Sequence, residues 1–204
     1  MKMNRKIITI ILLVGFFVFL AISVLSVGEQ FARPDSDNSV GLWTITPLFS
    51  KINEVTANDA NLIKSSGSPV ADIYSARLSD VTDPAVSTGH IIRVRYSRND
   101  TGAVSTVDLT FRLKQGTTLI REDVFIAISD AWTTTVSTLT AAQADSITDY
   151  SNLFFEFQAD SFVEPGEKVL AVRVSWAELE VPAATAPVSK GLLQIRDDGL
   201  LQFR

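Results

Sequence analysis

The chain has 204 residues, with 18 basic and 23 acidic side chains and no cysteine. The absence of thiols excludes disulfides, thiolate metal sites and a cysteine nucleophile. Three of the basic residues and none of the acidic ones lie in the first 27 positions, so the remainder has a net charge of −8, which disfavours nucleic acid as a partner.

Residues 7–27 form an uncharged, apolar segment directly after Lys2, Arg5 and Lys6. The segment is long enough to cross a bilayer core of about 30 Å as a helix, and the basic residues favour a cytoplasmic N-terminus. It also fits a signal peptide, with small residues at candidate cleavage positions in 21–23 and 24–26. We therefore expect an exported domain that is either anchored in a membrane through residues 7–27 or secreted.

Composition predicts the domain boundaries. Residues 28–40 are polar and contain Pro34, which indicates a linker before a folded domain of residues 41–182. A second linker, residues 183–190, is rich in Pro and Ala.

Apolar and polar residues alternate in this domain as they do in half-buried strands. The alternation is clearest in residues 90–99, 107–114 and 117–129, which we interpret as a meander of three antiparallel strands. Further strands are predicted at residues 41–46, 70–78, 132–139, 151–159 and 169–181. The last of these changes the parity of its apolar residues near Trp176, which predicts a β-bulge.

Only one helix is predicted. Residues 140–143 match a capping box, so residues 141–147 should form a single short helix. Seven or eight strands with turns between them indicate an all-β fold, an antiparallel β-sandwich. We favour a jelly-roll-like topology over an immunoglobulin-like one because the strands are long and no Cys…Trp…Cys framework exists.

The C-terminus contains an internal repeat. Residues 191–196 and 199–204 are the same hexamer with one substitution, and Asp197 and Asp198 between them predict a hairpin. Exposed strand edges of this kind pair with other chains, which would make a homo-oligomer. The candidate assembly residues are Leu192, Leu193, Ile195, Leu200, Leu201 and Phe203. The alternatives are a hairpin packed on its own domain and a disordered end.

Residues that could support catalysis are few. His90 is the one histidine, and no Gly-x-Ser-x-Gly motif accompanies it, so we interpret it as structural. Glu178 and Glu180 share one face of a strand, as a glycosidase pair would, but acidic residues on a solvent face are common. Residues 35–38 begin like a calcium loop, but its twelfth position is Thr46 instead of Glu. We predict no enzyme activity, no metal and no cofactor.

Aromatic residues are the main candidates for ligand binding. Trp43, Trp132 and Tyr150 could stack against sugar rings, and Trp132 is the best candidate for exposure because it follows a loop at the start of a strand. Packing of all three in the core is the alternative.

Several motifs together resemble a known type of domain. They are RPDSD at residues 33–37, GLW at 41–43, LTAAQADSITDYSNL at 139–153 and VSWAELEVP at 174–182. Residues 33–182 are similar to a β-sandwich domain that recurs in structural and surface proteins of tailed phages and environmental bacteria. The resemblance implies a non-catalytic structural or adhesive module, and the N-terminal segment favours display on a cell envelope over a place in a virion.

Two functions remain open at this stage, and a third, an enzyme acting on glycans, rests only on scattered carboxylates. The first is an exported structural or adhesive surface module, or a virion-associated one, whose partner is a protein or a glycan. The second is a carbohydrate-binding module with exposed aromatic residues. An exposed Trp132, or an aromatic pair on one sheet face, would favour the second.

Overall fold

Alternating apolar side chains assemble most of the strands into a β-sandwich. A computed structural model describes residues 28–44, 46–100, 105–162 and 168–184, together with the backbone of residues 193–195 and 201–203. The sandwich occupies the unit Gly28–Ala184.

The sandwich strands form two antiparallel sheets of five strands each within the described residues. The strands are β1 (Gln30–Ala32), β2 (Pro34–Ser39), β3 (Ile63–Lys64), β4 (Asp72–Leu78), β5 (Ile91–Arg98), β6 (Thr106–Gln115), β7 (Thr118–Phe125), β8 (Thr133–Thr138), β9 (Leu153–Phe162) and β10 (Val172–Val181). Sheet 1 runs in the order β1, β10, β5, β8, and β3 also pairs with β10. Sheet 2 runs in the order β2, β4, β9, β6, β7. The predicted all-β, jelly-roll-like sandwich is confirmed.

The core lies between the two sheets. Every second residue is buried from Val107 to Leu113 in β6 and from Leu153 to Ala159 in β9, as the sequence alternation predicts. The ring of Phe111 on β6 meets those of Phe155 and Phe157 on β9 edge-on, at 4.9 and 5.4 Å between centroids. Such pairs add to the energy of apolar burial. The intervening residues of both strands form the outer face of sheet 2.

The bulge predicted near Trp176 is present in β10. The register against β5 shifts between Val174 and Trp176. After the shift Leu179 and Val181 point into the core, and Glu178 points to the outer side of sheet 1, where Arg33 and Arg93 cover it.

The predicted helix and its capping box are also present, although the helix is shorter, Ala141–Asp145. Thr140 Oγ1 accepts a hydrogen bond from the Gln143 amide, and Gln143 Oε1 accepts one from the Thr140 amide. A 3-10 helix, Phe49–Lys51, was not predicted.

The predicted three-strand meander is wrong. The strand β5 pairs with β10 and β8 in sheet 1, whereas β6 and β7 form a hairpin in sheet 2. Alternation fixes which face of a strand is buried, but it does not fix the partner strand.

The linker predicted at residues 28–40 instead contains β1 and β2, which pair with β10 and β4. Its polar sequence suits β2 because this strand lies at the edge of sheet 2, where few apolar side chains are buried. The strand predicted at residues 41–46 is not formed in the described part of this range, where Gly41 and Leu42 make a turn and Thr44 makes one isolated bridge, to Lys64.

The C-terminal repeat forms two short strands, β11 (Leu193–Ile195) and β12 (Leu201–Phe203). They pair antiparallel, with Leu193 opposite Phe203 and Ile195 opposite Leu201. Leu192 and Leu200 lie outside the described residues.

None of the helices in the described part of the chain has the length and apolar character needed to span a bilayer. Residues 7–27, where we predict an anchor or a signal peptide, lie outside that part.

Candidate functional site

Two of the three predicted ligand-binding aromatics are packed inside the sandwich. Trp43 is 3% exposed, and its indole nitrogen donates to the carbonyl of Asp72. Tyr150 is 6% exposed, and its hydroxyl lies 2.7 Å from Nε2 of His90. Neither ring offers a face to a ligand in this structure, because both fill core space.

Trp132, the third, is half-buried beside sheet 1. The guanidinium carbons of Arg95 and Arg173 lie 5.7 and 5.0 Å from its ring centroid. Both distances are within the range of a cation–π interaction. The structure therefore does not bring the three predicted aromatics together into one platform.

A groove of about 270 Å³ opens on the outer face of sheet 2. We call it the outer groove, and it is lined by Asn38, Ser75, Lys114, Gly116, Thr117, Asn152, Phe154 and Glu156. The half-buried ring of Phe154 is its aromatic member, and this residue lies opposite Arg77 of β4 and Lys114 of β6.

Polar groups surround Phe154 at both ends of the outer groove. Asn38 Nδ2 donates to Ser75 Oγ at 2.9 Å, and its amide oxygen accepts no hydrogen bond from the described residues. At the other end the Gly116 amide donates to the Asn152 carbonyl, and a Cβ at Gly116 would lie 3.3 Å from Asn152 Nδ2. Glycine is also favoured here by its φ of +54°.

The charges in the outer groove are neutralised locally. Glu156 accepts hydrogen bonds from Lys114 Nζ at 3.0 Å and from Arg112 Nη1 at 2.9 Å. Burial raises the pKa of Glu156, but these two hydrogen bonds outweigh it and hold the pKa below its ordinary value. The carboxylate is therefore ionised and paired with two cations. It can accept a hydrogen bond from the hydroxyl of an uncharged ligand.

Phe154 was missed by sequence reasoning, although a signal existed. Leu153, Phe155 and Phe157 were assigned to the buried face, and the same parity places Phe154 on the outer face. A large aromatic residue at an outward position of a central strand is a binding candidate, because such positions are normally polar.

The carboxylate pair Glu178 and Glu180 lies on the outer face of sheet 1, as predicted. Arg93 binds both, with Nη1 at 3.1 Å from Glu178 and Nη2 at 2.5 Å from Glu180. Arg33 makes a further ion pair with Glu178. Both carboxylates are therefore occupied by arginine side chains, and Glu178 is only 4% exposed, so the pair does not face a substrate-sized opening.

The remaining polar candidates have structural contacts. The Asp37 carboxylate accepts hydrogen bonds from the amides of Leu48 and Phe49 and from the Tyr74 hydroxyl, which occupies the oxygens that a calcium ion would need. Within the described residues no cluster of three or more metal-ligating side chains is present.

No protein-family model and no curated protein matches this chain. Among solved structures it is similar to a xylan-binding module, with a TM-score of 0.43 and 10% identity over 78% of this chain and 100% of that chain. It is also similar to a carbohydrate-binding module of lichenase 5A from Cellvibrio mixtus, in complex with cellotriose, with a TM-score of 0.37 and 11% identity over 74% of this chain and 96% of that chain.

A third similar structure is the Stig cyclase Fisc from Fischerella sp. TAU, with a TM-score of 0.41 and 13% identity over 80% of each chain. At these identities and TM-scores, the similarities identify neither a ligand nor an activity for this protein.

Proposed function

We propose that this protein is a non-catalytic, exported β-sandwich module that binds a neutral glycan in the outer groove. The observation that supports it is Phe154, a half-buried aromatic ring on an outer sheet face with polar groups around it. A sugar ring has an apolar C–H face that packs on an aromatic ring and hydroxyls that need both donors and acceptors. Asn38, Asn152 and Glu156 supply such groups.

The ligand is neutral because the charges of the outer groove are already paired. Lys114 is bound to Glu156, and Arg112 is shared between Glu156 and Glu122. A charged sugar would have to break these ion pairs or remain without a counter-charge, which costs free energy in a partly desolvated site.

Export and display on a surface complete this proposal. They rest on the apolar segment of residues 7–27, which acts as an anchor if it is retained and as a signal peptide if it is cleaved. The C-terminal repeat is the proposed assembly element of a structural or adhesive module, through the predicted assembly residues.

The test is glycan binding by the full chain and by two phenylalanine variants. Xylo- and cello-oligosaccharides are the neutral probes, and calorimetry measures the affinity. Phe154→Ala should weaken binding by about tenfold or more, since truncation of a central aromatic anchor commonly costs that much.

Phe162→Ala is the matched control. Phe162 lies on the same strand with the same parity and is exposed, but it does not line the outer groove. If both variants bind like the unchanged protein, or if both lose affinity equally, the outer groove is not the glycan site. Thermal unfolding of both variants checks that they fold.

A further inference from the structure

The outer face of sheet 1 contains a ladder of arginine–carboxylate pairs with one exception. Arg33 and Arg93 bind Glu178, and Arg95 binds Asp59 through two hydrogen bonds of 2.7 and 2.6 Å. On the same face of β10, Arg173 makes no ion pair within 4.0 Å with the described residues, although Asp59 and Asp130 lie near enough to attract its charge.

A second cation lies directly beside Arg173. Lys64 of β3 is its antiparallel partner, and the neighbouring pair, Ile63 and Val174, is buried. Lys64 and Arg173 therefore point to the same outer face, with Cβ atoms about 5 Å apart. Lys64 also has no ion pair with the part of the chain that the structure describes. Like charges in this position repel each other, and an anion bound between them would relieve this repulsion beyond the attraction that Asp59 and Asp130 already exert on Arg173.

Arg173 is held in place in advance of any ligand. Its Nε donates to Ser97 Oγ at 3.1 Å, and its guanidinium stacks on Trp132. Burial lowers the pKa of Arg173, which indicates that the cation has lost part of its hydration. A fixed and partly dehydrated guanidinium gains more from an anion than a solvated one, because less entropy and hydration are lost on binding.

We propose that Lys64 and Arg173 bind a carboxylate of an acidic polysaccharide on the outer face of sheet 1. The guanidinium matches the two oxygens of a carboxylate, and the ammonium adds a second positive charge. Trp132 acts as a positioning residue that orients Arg173. This site is separate from the outer groove, which lies on sheet 2, and it does not depend on the function proposed there.

The shape and charge of this face favour a polysaccharide chain over other anions. An open sheet face suits an extended polymer whose repeated groups bind one after another. Asp59, Glu178 and Glu180 lie along the same face, each in an ion pair with an arginine, so the face favours an anion with widely spaced charges over a densely charged phosphate polymer. A uronate chain has one charge on each sugar and places its hydroxyls near Thr134 of β8, which is exposed and lies opposite Arg95.

The experiment measures binding of an oligogalacturonate to the full chain by calorimetry at low ionic strength. Lys64→Gln and Arg173→Gln should each weaken binding by about tenfold or more, since each removes a charge-assisted contact. Raising the salt concentration should weaken binding by the unchanged protein. Lys51→Gln is the control, because it removes one positive charge from the 3-10 helix and should leave the affinity unchanged.

Three results would overturn the proposal. They are no binding of oligogalacturonate by the unchanged protein, equal binding by the Arg173→Gln variant, and equal competition by an acidic peptide of the same charge, which would indicate a protein partner. Binding of the neutral probes by both variants separates this site from the outer groove and shows that the variants are folded. Loss of neutral binding in the Phe154→Ala protein, with uronate binding kept, would show the two sites to be independent.

Discussion

Single residues decide how the stability of this protein depends on pH, and His90 is the clearest case. Its side chain is completely buried, Nε2 meets the Tyr150 hydroxyl, and Nδ1 has no hydrogen-bond partner among the described residues. Burial lowers the pKa of His90 below 6.5 and raises the pKa of Tyr150 to about 12. The imidazole is therefore neutral in the folded protein at neutral pH.

We predict a loss of stability in mild acid that depends on His90. Because its folded-state pKa lies below the unfolded value, protons bind more tightly to the unfolded chain. The neutral imidazole makes its full contribution to the free energy of unfolding above about pH 6.5, and this contribution is lost as the pH falls below that value. The unfolding temperature of the unchanged protein should therefore fall more steeply in this range than that of His90→Gln.

Tyr150→Phe serves as the control for this comparison, because it removes the hydroxyl contact and keeps the titrating imidazole. Its pH slope should follow that of the unchanged protein. An equal slope in the His90→Gln variant would show that other groups cause the acid sensitivity.

The sequence also predicted some residue positions better than others. The alternation of apolar and polar residues placed the core residues of β6 and β9 correctly. The same alternation implied that Phe154 points outward. For a tryptophan in a turn, the sequence could not distinguish an exposed ring from a buried one. The ring of Trp43 is buried by contacts with β4 and β9, which are distant in the chain.

Among the elements, β2 shows how a polar edge strand is fixed in place. Asp37 accepts hydrogen bonds from the amides of Leu48 and Phe49, at 2.9 and 2.8 Å, and from the Tyr74 hydroxyl at 2.9 Å. One carboxylate thus joins β2, the start of the 3-10 helix and β4. This role explains why a segment with a linker-like composition is an ordered strand.

We predict that Asp37→Ala lowers the free energy of unfolding by about 2–4 kcal/mol, because it leaves donors of the interior without acceptors. Denaturant titration measures the change. Asp35→Ala is the control on the same strand, since Asp35 makes an exposed ion pair with Arg77 at 3.4 Å that should contribute less than about 1 kcal/mol. Equal effects of the two substitutions would contradict a specific role for Asp37.

Local and non-local features of the elements differ in how well the sequence reports them. The capping box and the β10 bulge depend on residues close together in the chain, and both were predicted. The pairing of β5 with β10 joins segments about 80 residues apart, so no local pattern in either strand contains it.

At the scale of the whole molecule, the sandwich is a unit by itself, from Gly28 to Ala184. Its buried residues come from both sheets, and their side chains meet across the interior, as Tyr96 of β5 and Phe125 of β7 do at 4.6 Å between ring centroids. A core of this kind is sufficient for independent folding in a domain of this size.

We predict that the fragment of residues 28–184 unfolds cooperatively and binds the neutral probes like the full chain. Deletion of residues 185–204 alone should reduce the oligomeric state, measured by analytical ultracentrifugation, if the C-terminal repeat is the assembly element. An unchanged oligomeric state would remove that role, and a fragment that does not fold would contradict the independence of the sandwich.

The first and last strands of the sandwich are neighbours, with Gln30 of β1 opposite Val181 of β10. A short linker between residues 28 and 184 would therefore close the polypeptide into a ring without moving a strand. New ends could be opened in the loop between β4 and β5, where Val86 is exposed. The permuted chain would keep every strand pair while changing the order in which they are synthesised, so its folding rate would report which pairs form first.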